Sequence, residues 1–221
     1  MGTMIVLLLL AGGVGLVIRS MIKDKKAGKS LHCGGDCKHC GGHCHDKGKG
    51  ERLMSEEMIL RHCSPTLAGM KTGSLFNCPC PDRQKLLCAV KELNRKLVPK
   101  GVRVIPLRTT KNKMLLYIYR PQKLKDDLSV SGAARLLQKY GYSVECTGKC
   151  VVQLGKRLCE QKDFPHEIGL FLGYQLEDVQ GFIEHHAEGY KCVGCWKVYG
   201  DEEHARREFR RYQKCTDAYC Y

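Results

Sequence analysis

Aromatic side chains are scarce in this chain of 221 residues, and the signatures of several common enzyme classes are missing. Aromatic residues make up 7% of the sequence, with a single tryptophan, and no recognised nucleic-acid-binding module occurs, which argues against nucleic acid as a partner. The phosphate-loop pattern GxxxxGK(S/T), the dinucleotide fingerprint GxGxxG and the metalloprotease pattern HExxH are absent. No Ser/His/Asp order and no paired carboxylates stand out. The sequence therefore identifies no catalytic constellation.

Charged side chains are absent from the first 18 residues, which are mostly leucine, valine, isoleucine and glycine. A helix of this length spans about 27 Å, close to the roughly 30 Å hydrocarbon core of a bilayer, and predicts a transmembrane anchor over residues 1–22. Basic residues follow the apolar run rather than precede it, which favours an anchor over a cleaved signal peptide and places the C-terminal side in the cytoplasm. These are Arg19, Lys23, Lys25, Lys26 and Lys29. The prediction is a single-pass protein of the cell membrane.

Cysteine is abundant, with fifteen residues in the chain. Because cytoplasmic thiols stay reduced, we expect metal ligands, reactive thiols or small buried side chains rather than a disulfide framework. The net charge is +14, and the nearness of anionic lipid accounts for the lysines that follow the anchor without invoking nucleic acid.

Residues 32–45 read HCGGDCKHCGGHCH and combine four cysteines with four histidines. Thiolate and imidazole are ligands that suit zinc, copper and iron. The spacing matches no closed zinc-finger signature. The pattern predicts that residues 23–45 bind a transition metal (Fe or Zn) or carry thiol redox chemistry; the alternative is a flexible polar tail that binds metal adventitiously. The predicted ligands are Cys33, Cys37, Cys40, Cys44, His32, His39, His43 and His45.

This first part of the chain resembles the FeoB-associated Cys-rich membrane proteins, companions of the bacterial ferrous-iron transporter. The resemblance lies in the short apolar span, the stretch IRSMIKDKKAGKS after it, and CGGDCKHC. It implies a role beside ferrous-iron import, with the transporter as a partner and the cysteines on the cytoplasmic side. Iron is implied by the resemblance alone, because zinc and copper bind such ligands more tightly than ferrous iron does.

Residues 46–53 are charged and broken by glycine, and are predicted to be a linker. Met54 then begins a second module, residues 54–221, predicted to be a mixed, helix-rich α/β or α+β cytosolic domain. Ser55 is predicted to cap its first helix and Asp201 its last. Further helices are predicted over 85–97, 131–140, 165–171 and 176–186. A strand pair is predicted over 102–108 and 114–119, with a short strand or turn at Val151-Val152 and a short strand or knuckle in YKCVGCWKVYG.

The second module resembles the domain-of-unknown-function family 3793 over nearly its whole length. Three stretches carry the resemblance: HCSPTLAGMKTGSLFNC, FPHEIGLFLGYQLEDVQGFIEH and YKCVGCWKVYGDEEHARREFRRYQKCTDAYC. The resemblance implies no activity, so its chemistry has to be inferred from the residues themselves.

Four cysteines near the C-terminus form the main candidate site of this module: Cys192, Cys195, Cys215 and Cys220. Their spacing leaves three interpretations open, namely a four-thiolate metal site around the last helix, redox-active thiols, or plain buried cysteines. Lys191 and Lys197 flank the first pair, and nearby cations would depress a thiol pKa and raise its reactivity.

Three other features of the module have two interpretations each. The stretch HCSPTLAGMKTGSLFNCPC is either an anion-binding loop or, as we favour, an ordinary surface loop. His166 and Glu167 either do acid–base work or, as we favour, Glu167 caps a helix. The arginines after Asp201 either bind nucleic acid or complement the helix dipole, which we favour.

The sequence thus predicts a membrane-anchored accessory protein of ferrous-iron transport or homeostasis, which binds metal or senses redox state through its Cys/His cluster. The alternative is a thiol-dependent oxidoreductase or transferase that uses Cys192 and Cys195.

Overall fold

The computed structural model describes residues 54–161 and 163–220, and the account of structure below concerns those residues. The predicted anchor (1–22), the Cys/His-rich segment (23–45) and the predicted linker (46–53) lie outside them. No helix within the described ranges combines the length and the apolar character that crossing a membrane requires.

Helices dominate the described residues, with two small sheets between them. The helices are α1 (Glu56–Leu67), α2 (Arg83–Leu97), α3 (Pro121–Ser129), α4 (Ser131–Lys139), α5 (Thr147–Glu160), α6 (Ile168–Phe171), α7 (Leu176–His185) and α8 (Glu202–Cys220). The strands are β1 (Gly73–Pro79), β2 (Arg103–Thr109), β3 (Lys113–Tyr119), β4 (Cys192–Val193) and β5 (Lys197–Val198). The predicted helix-rich α+β character is confirmed for this part of the chain.

The larger sheet has the order β1-β3-β2, and both of its pairings are antiparallel. Strand β3 lies in the centre, which explains why its sequence KMLLYIY is almost continuously apolar. Its pairing with β2 confirms the predicted strand pair. Its pairing with β1 corrects the expected surface loop, because that stretch instead forms the end of α1 and a largely buried strand.

The two faces of the sheet carry two separate cores, since successive side chains of a strand point to opposite sides. Met114, Leu116 and Ile118 pack on one side with α1 and α2. Leu115 and Tyr117 pack on the other side with helices α3 to α6. The sheet is therefore the middle layer between two groups of helices.

Local hydrogen bonds set several helix starts. The Met58 amide donates to Ser55 Oγ at 3.1 Å, and the His204 amide donates to Asp201 Oδ1 at 2.9 Å, which confirms both predicted caps. The short strand or turn predicted at Val151-Val152 is wrong, because these residues lie inside α5. There Val151 shares a buried face with Leu154 and Leu158, and this burial outweighs the weak β preference of valine.

The predicted helix over 165–171 is shorter in the structure, and the C-terminal knuckle is confirmed. Pro165 precedes the four-residue helix α6 instead of lying within it. The strands β4 and β5 pair antiparallel in a tight hairpin, with the Gly194 amide donating to the Trp196 carbonyl at 3.0 Å. Gly194 presses against the Phe209 ring of α8, and a β-carbon there would overlap the ring. Only glycine allows this close approach.

Asp178 fastens this hairpin to the start of α7. Its buried carboxylate accepts hydrogen bonds from Trp196 Nε1 at 2.6 Å and from the amides of Tyr199 and Gly200, both at 2.8 Å. The Trp196 ring packs between Tyr174 and Phe209, each with a centroid distance of 4.5 Å. The turn that carries Cys195 is thus held in place by α7 and α8.

Candidate functional site

Three distant parts of the sequence meet beside the β4–β5 hairpin. Cys63 comes from α1, Lys71 from the loop before β1, Tyr174 from the loop between α6 and α7, and Cys195 from the hairpin turn. We call these four residues the thiol–amine site. Each of them belongs to one of the three stretches by which the module resembles a known family.

Lys71 occupies the centre of the thiol–amine site. Its Nζ lies 5.2 Å from the centroid of the Tyr174 ring, and its charge interacts with the thiols of Cys63 and Cys195. No carboxylate lies within 4.0 Å of this ammonium among the described residues. Burial lowers the pKa of Lys71, while the two thiols act in the opposite direction.

The two thiols differ in access. Cys63 is fully buried, and this burial raises its pKa to about 12 despite the opposing effects of Lys71 and Ser74. Cys195 is on the surface, but packing around its sulfur raises its pKa as well, and Lys71 again opposes the shift. Only Cys195 of the two can meet a molecule from outside.

The expected low pKa of a thiol beside Lys191 and Lys197 is therefore wrong for Cys195. Lys191 Nζ donates to the Gly200 carbonyl at 2.6 Å, and Lys197 Nζ donates to the Ala187 carbonyl at 2.8 Å. Both ammonium groups bind backbone oxygens, and neither stabilises the thiolate of Cys195. The cation that Cys195 does have is Lys71, which lies far away in sequence.

A cavity of about 440 Å³ opens beside Cys195. Its walls are mostly apolar and aromatic, and they include Phe164, His166, Tyr174, Phe182, Cys195 and Trp196. The His166 ring meets the edge of Phe182 at a centroid distance of 4.9 Å. A concave, largely apolar site of this size is typical of small-molecule binding.

The structure does not assemble the four C-terminal cysteines into one site. Cys192 lies on β4 beside Arg206, near the start of α8, whereas Cys215 is nine residues further along that helix, about 14 Å at 1.5 Å per residue. Cys220 is exposed in the last turn. In the described ranges no three His, Cys, Asp or Glu side chains are grouped so as to hold a metal ion.

The N-terminal ligands cannot be placed, because Cys33, Cys37, Cys40, Cys44, His32, His39, His43 and His45 lie outside the described residues. Metal binding or redox chemistry there stays a prediction.

Glu167 corrects another expectation, because it occupies the N-cap position of α6 but its side chain makes no capping hydrogen bond. Its buried carboxylate accepts hydrogen bonds from Tyr142 Oη and Arg157 Nε, both at 2.9 Å. The residue is therefore a buried structural partner of an arginine. His166, next to it, is exposed at the cavity.

The arginines of α8 are also arranged differently from the expected dipole pattern. They lie in the middle of the helix, and its last turn carries no basic residue. Arg206, Arg207 and Arg211 instead pair with glutamates one turn away, namely Glu202, Glu203 and Glu208. These pairs form an ordinary helix face that is mostly solvated, with only Glu208 largely covered.

Cys146 is a further thiol that the sequence did not single out. It is exposed at the N-cap position of α5, where the nearby backbone amides of Lys149 and Gly148 favour the thiolate and lower its pKa. Its position immediately before a helix is the signal that could have revealed it.

Two family models match the chain. The model described as "Protein of unknown function (DUF3793)" matches residues 59–221, and the model described as "FeoB-associated Cys-rich membrane protein" matches residues 2–45. No curated protein and no solved structure matches.

Proposed function

Because the chain belongs to the DUF3793 family of proteins of unknown function, and a FeoB-associated Cys-rich segment precedes that domain, we propose that it is a membrane-anchored accessory protein of ferrous-iron transport. The observation that carries the proposal is the family match over residues 2–45. It covers both the apolar stretch and the Cys/His cluster. Residues 1–22 anchor the chain in the cell membrane, and the remainder lies in the cytoplasm.

In this proposal, residues 23–45 receive, buffer or sense the metal as it leaves a ferrous-iron transporter. The thiolates and imidazoles of HCGGDCKHCGGHCH supply the ligands, and iron or zinc is the metal they hold. Anchoring raises the effective concentration of a weak ligand set near its target to roughly millimolar when the linker is short. Weak contacts with the transporter then suffice.

Two measurements test this role. The full-length variant with Cys33, Cys37, Cys40 and Cys44 all changed to serine should lose metal in elemental analysis after anaerobic purification, and should impair ferrous-iron uptake by cells. A matched control changes four exposed cysteines of the second module to serine: Cys88, Cys146, Cys159 and Cys220. This control removes the same number of thiols and should leave both readouts unchanged. Equal behaviour of the two variants would refute the metal role of the cluster.

A second candidate function, thiol-dependent chemistry in the DUF3793 domain, is favoured by the position of Cys195. This thiol borders the cavity and has Lys71 as its neighbouring cation, whereas Cys192 is buried in β4. The arrangement supports a transferase with one nucleophilic thiol better than an oxidoreductase that cycles Cys192 and Cys195 as a pair.

A further inference from the structure

Lys71 is a half-buried amine with no carboxylate within 4.0 Å among the described residues. Elsewhere in the domain, the half-buried Arg157 is paired with Glu167 at 2.9 Å, as is usual for charges removed from water. Around Lys71 the groups that could offset its charge are two thiols and the ring of Tyr174. An amine in such surroundings gives up its proton more readily than an exposed lysine, which is the property required of a general base.

Cys195 is the thiol whose proton Lys71 can accept. Both thiols interact with the charge of Lys71, but Cys63 is closed off from solvent and from the cavity. Cys195 borders the cavity directly. Burial disfavours its thiolate, so its sulfur becomes a strong nucleophile only when a neighbouring group removes the proton.

The cavity beside Cys195 fits a ring. Aromatic side chains form its walls, and Trp196 is fixed there by Asp178 and by its stacking on Tyr174. The rim is apolar yet open, since Phe164 is 43% exposed and Val193 is 58% exposed. An apolar ligand would cover this rim, and burial of its ring would favour binding.

We propose that the cavity binds an apolar, ring-bearing electrophile and that Cys195 attacks it, with Lys71 as the base. The proton of the Cys195 thiol passes to Lys71 Nζ when that amine is in its neutral form, which burial favours. A sulfur electron pair forms the new bond to the electrophilic carbon, and the leaving group departs with the pair of the bond that breaks. Lys71 then releases the proton to solvent, so that the products are a thioether or thioester at Cys195, the leaving group and one proton. No oxidant or reductant is needed. This inference rests on the thiol-dependent candidate and is independent of the iron role.

Tyr174 is a positioning residue in this arrangement. Its ring lies between the Lys71 ammonium and the Trp196 ring, and its hydroxyl donates to the Cys195 carbonyl at 3.4 Å. It therefore links the base to the turn that carries the nucleophile.

Two alkylating reagents that differ only by a phenyl ring test the proposal on the full-length protein. Iodoacetamide and iodoacetanilide share the reacting carbon and the iodide leaving group. Site-resolved mass spectrometry gives both rates at Cys195 and at Cys88, an exposed thiol of α2 that serves as internal reference. We expect the anilide-to-amide rate ratio to be about tenfold higher at Cys195 than at Cys88, because burial of one ring contributes at least that factor. Equal ratios at the two thiols would overturn the ligand-binding part.

Substitutions test the cavity wall and the base Lys71 separately. Phe164→Ala should lower the rate ratio at Cys195, whereas Tyr219→Ala, which removes an exposed ring on α8, should not. Lys71→Met and Lys71→Arg should slow Cys195 with both reagents by roughly a hundredfold, because neither replacement can accept the thiol proton. Lys91→Met, at an exposed lysine of α2, is the matched control. A Lys71→Met protein that is folded and reacts at the wild-type rate would overturn the base.

If the Lys71 variants do not fold, the reagent ratio and the Phe164→Ala variant still decide the ring-binding part of the proposal, because both measurements keep Lys71 in place. Replacement of Cys33, Cys37, Cys40 and Cys44 by serine should leave the ratio at Cys195 unchanged. Metal retained by this variant, together with a raised reagent ratio at Cys195, would contradict the iron proposal alone. Metal lost by the variant, together with equal ratios at Cys195 and Cys88, would contradict this inference alone.

Discussion

Removal of the charge of Glu167 should destabilise the DUF3793 domain far more than removal of an exposed glutamate. The Glu167 side chain is 2% exposed, whereas that of its partner Arg157 is 24% exposed. The change Glu167→Gln keeps the size of the side chain but leaves the guanidinium without its counter-charge and weakens the hydrogen bond from Tyr142 Oη. The packing of α5 against the segment around Pro165 should suffer directly.

The expected loss of stability depends on the contacts that Arg157 keeps after the change. Breaking a buried pair from one side typically costs 3–5 kcal/mol, and partial solvent access places the expected loss at about 2–4 kcal/mol. Arg157 also keeps a hydrogen bond to the Tyr140 carbonyl at 3.2 Å and lies over the rings of Tyr140 and Tyr142, each at 5.5 Å. These contacts support the lower half of that range. For a domain of this size we expect a fall in Tm of roughly 6–12 °C.

Thermal and urea unfolding of the full chain would measure the effect. Glu203→Gln is the control, because Glu203 pairs with Arg207 in the open, with 85% of its side chain exposed. It should change the free energy of unfolding by less than about 0.5 kcal/mol. Equal losses for the two variants would refute the reasoning. The double change Arg157→Met with Glu167→Leu should recover part of the loss, because a buried pair replaced by apolar side chains leaves no uncompensated charge.

Four other outcomes are expected. Gly194→Ala should destabilise the domain by about 1–3 kcal/mol in urea unfolding, because the new methyl group overlaps Phe209; an unchanged midpoint would contradict the close packing of the hairpin on α8. Asp178→Asn should cost about 1.5–3 kcal/mol, because it weakens three hydrogen bonds, including that from Trp196; unchanged stability and Trp196 fluorescence would count against it. Iodoacetamide labelling should begin at a lower pH for Cys146, whose pKa is lowered, than for Cys195, whose pKa is raised; the reverse order would refute the assigned environments. Folding lowers the pKa of Lys71, so the unfolded chain binds more protons at this side chain than the folded chain does. The contribution of Lys71 to the free energy of unfolding is therefore least favourable at pH values below its pKa in the folded state. It becomes more favourable as the pH rises toward the ordinary pKa of lysine. Lys71→Met should therefore exceed the wild type in stability at neutral pH by about 0.5–2 kcal/mol, with a gap that narrows at alkaline pH; a constant gap would show that Lys71 does not titrate abnormally.

Local chemistry made part of the fold predictable. Ser55 and Asp201 cap helices through hydrogen bonds to amides three residues away, so the signal and its effect lie in the same short segment. The pairing of β2 with β3 was predictable from two apolar runs that are close together in the sequence. The short hairpin around Gly194 was likewise predictable from the local sequence YKCVGCWKVYG.

Longer-range packing explains the errors. Val151 was assigned by its intrinsic preference, but its helix is stabilised by burial against residues that the local pattern does not show. The stretch before Cys78 looked like a loop because of its glycines and hydroxyls, although pairing with β3 makes its second half a strand. Glu167 looked like a cap because its arginine partner lies on another helix.

The sequence by itself determined the order of parts in this protein: an apolar stretch, a Cys/His cluster, a charged linker, and a helix-rich second module that belongs to the DUF3793 family. These properties depend on composition and on spacing along the chain. Only the tertiary structure decided that Cys195, rather than the pair with Cys192, borders a cavity, and that its cation is Lys71 rather than the adjacent lysines. The physical reason is that the pKa of a thiol or an amine depends on burial and on the charges that packing brings near it. Here the neighbouring groups come from α1, the loop before β1, the loop before α7 and the hairpin.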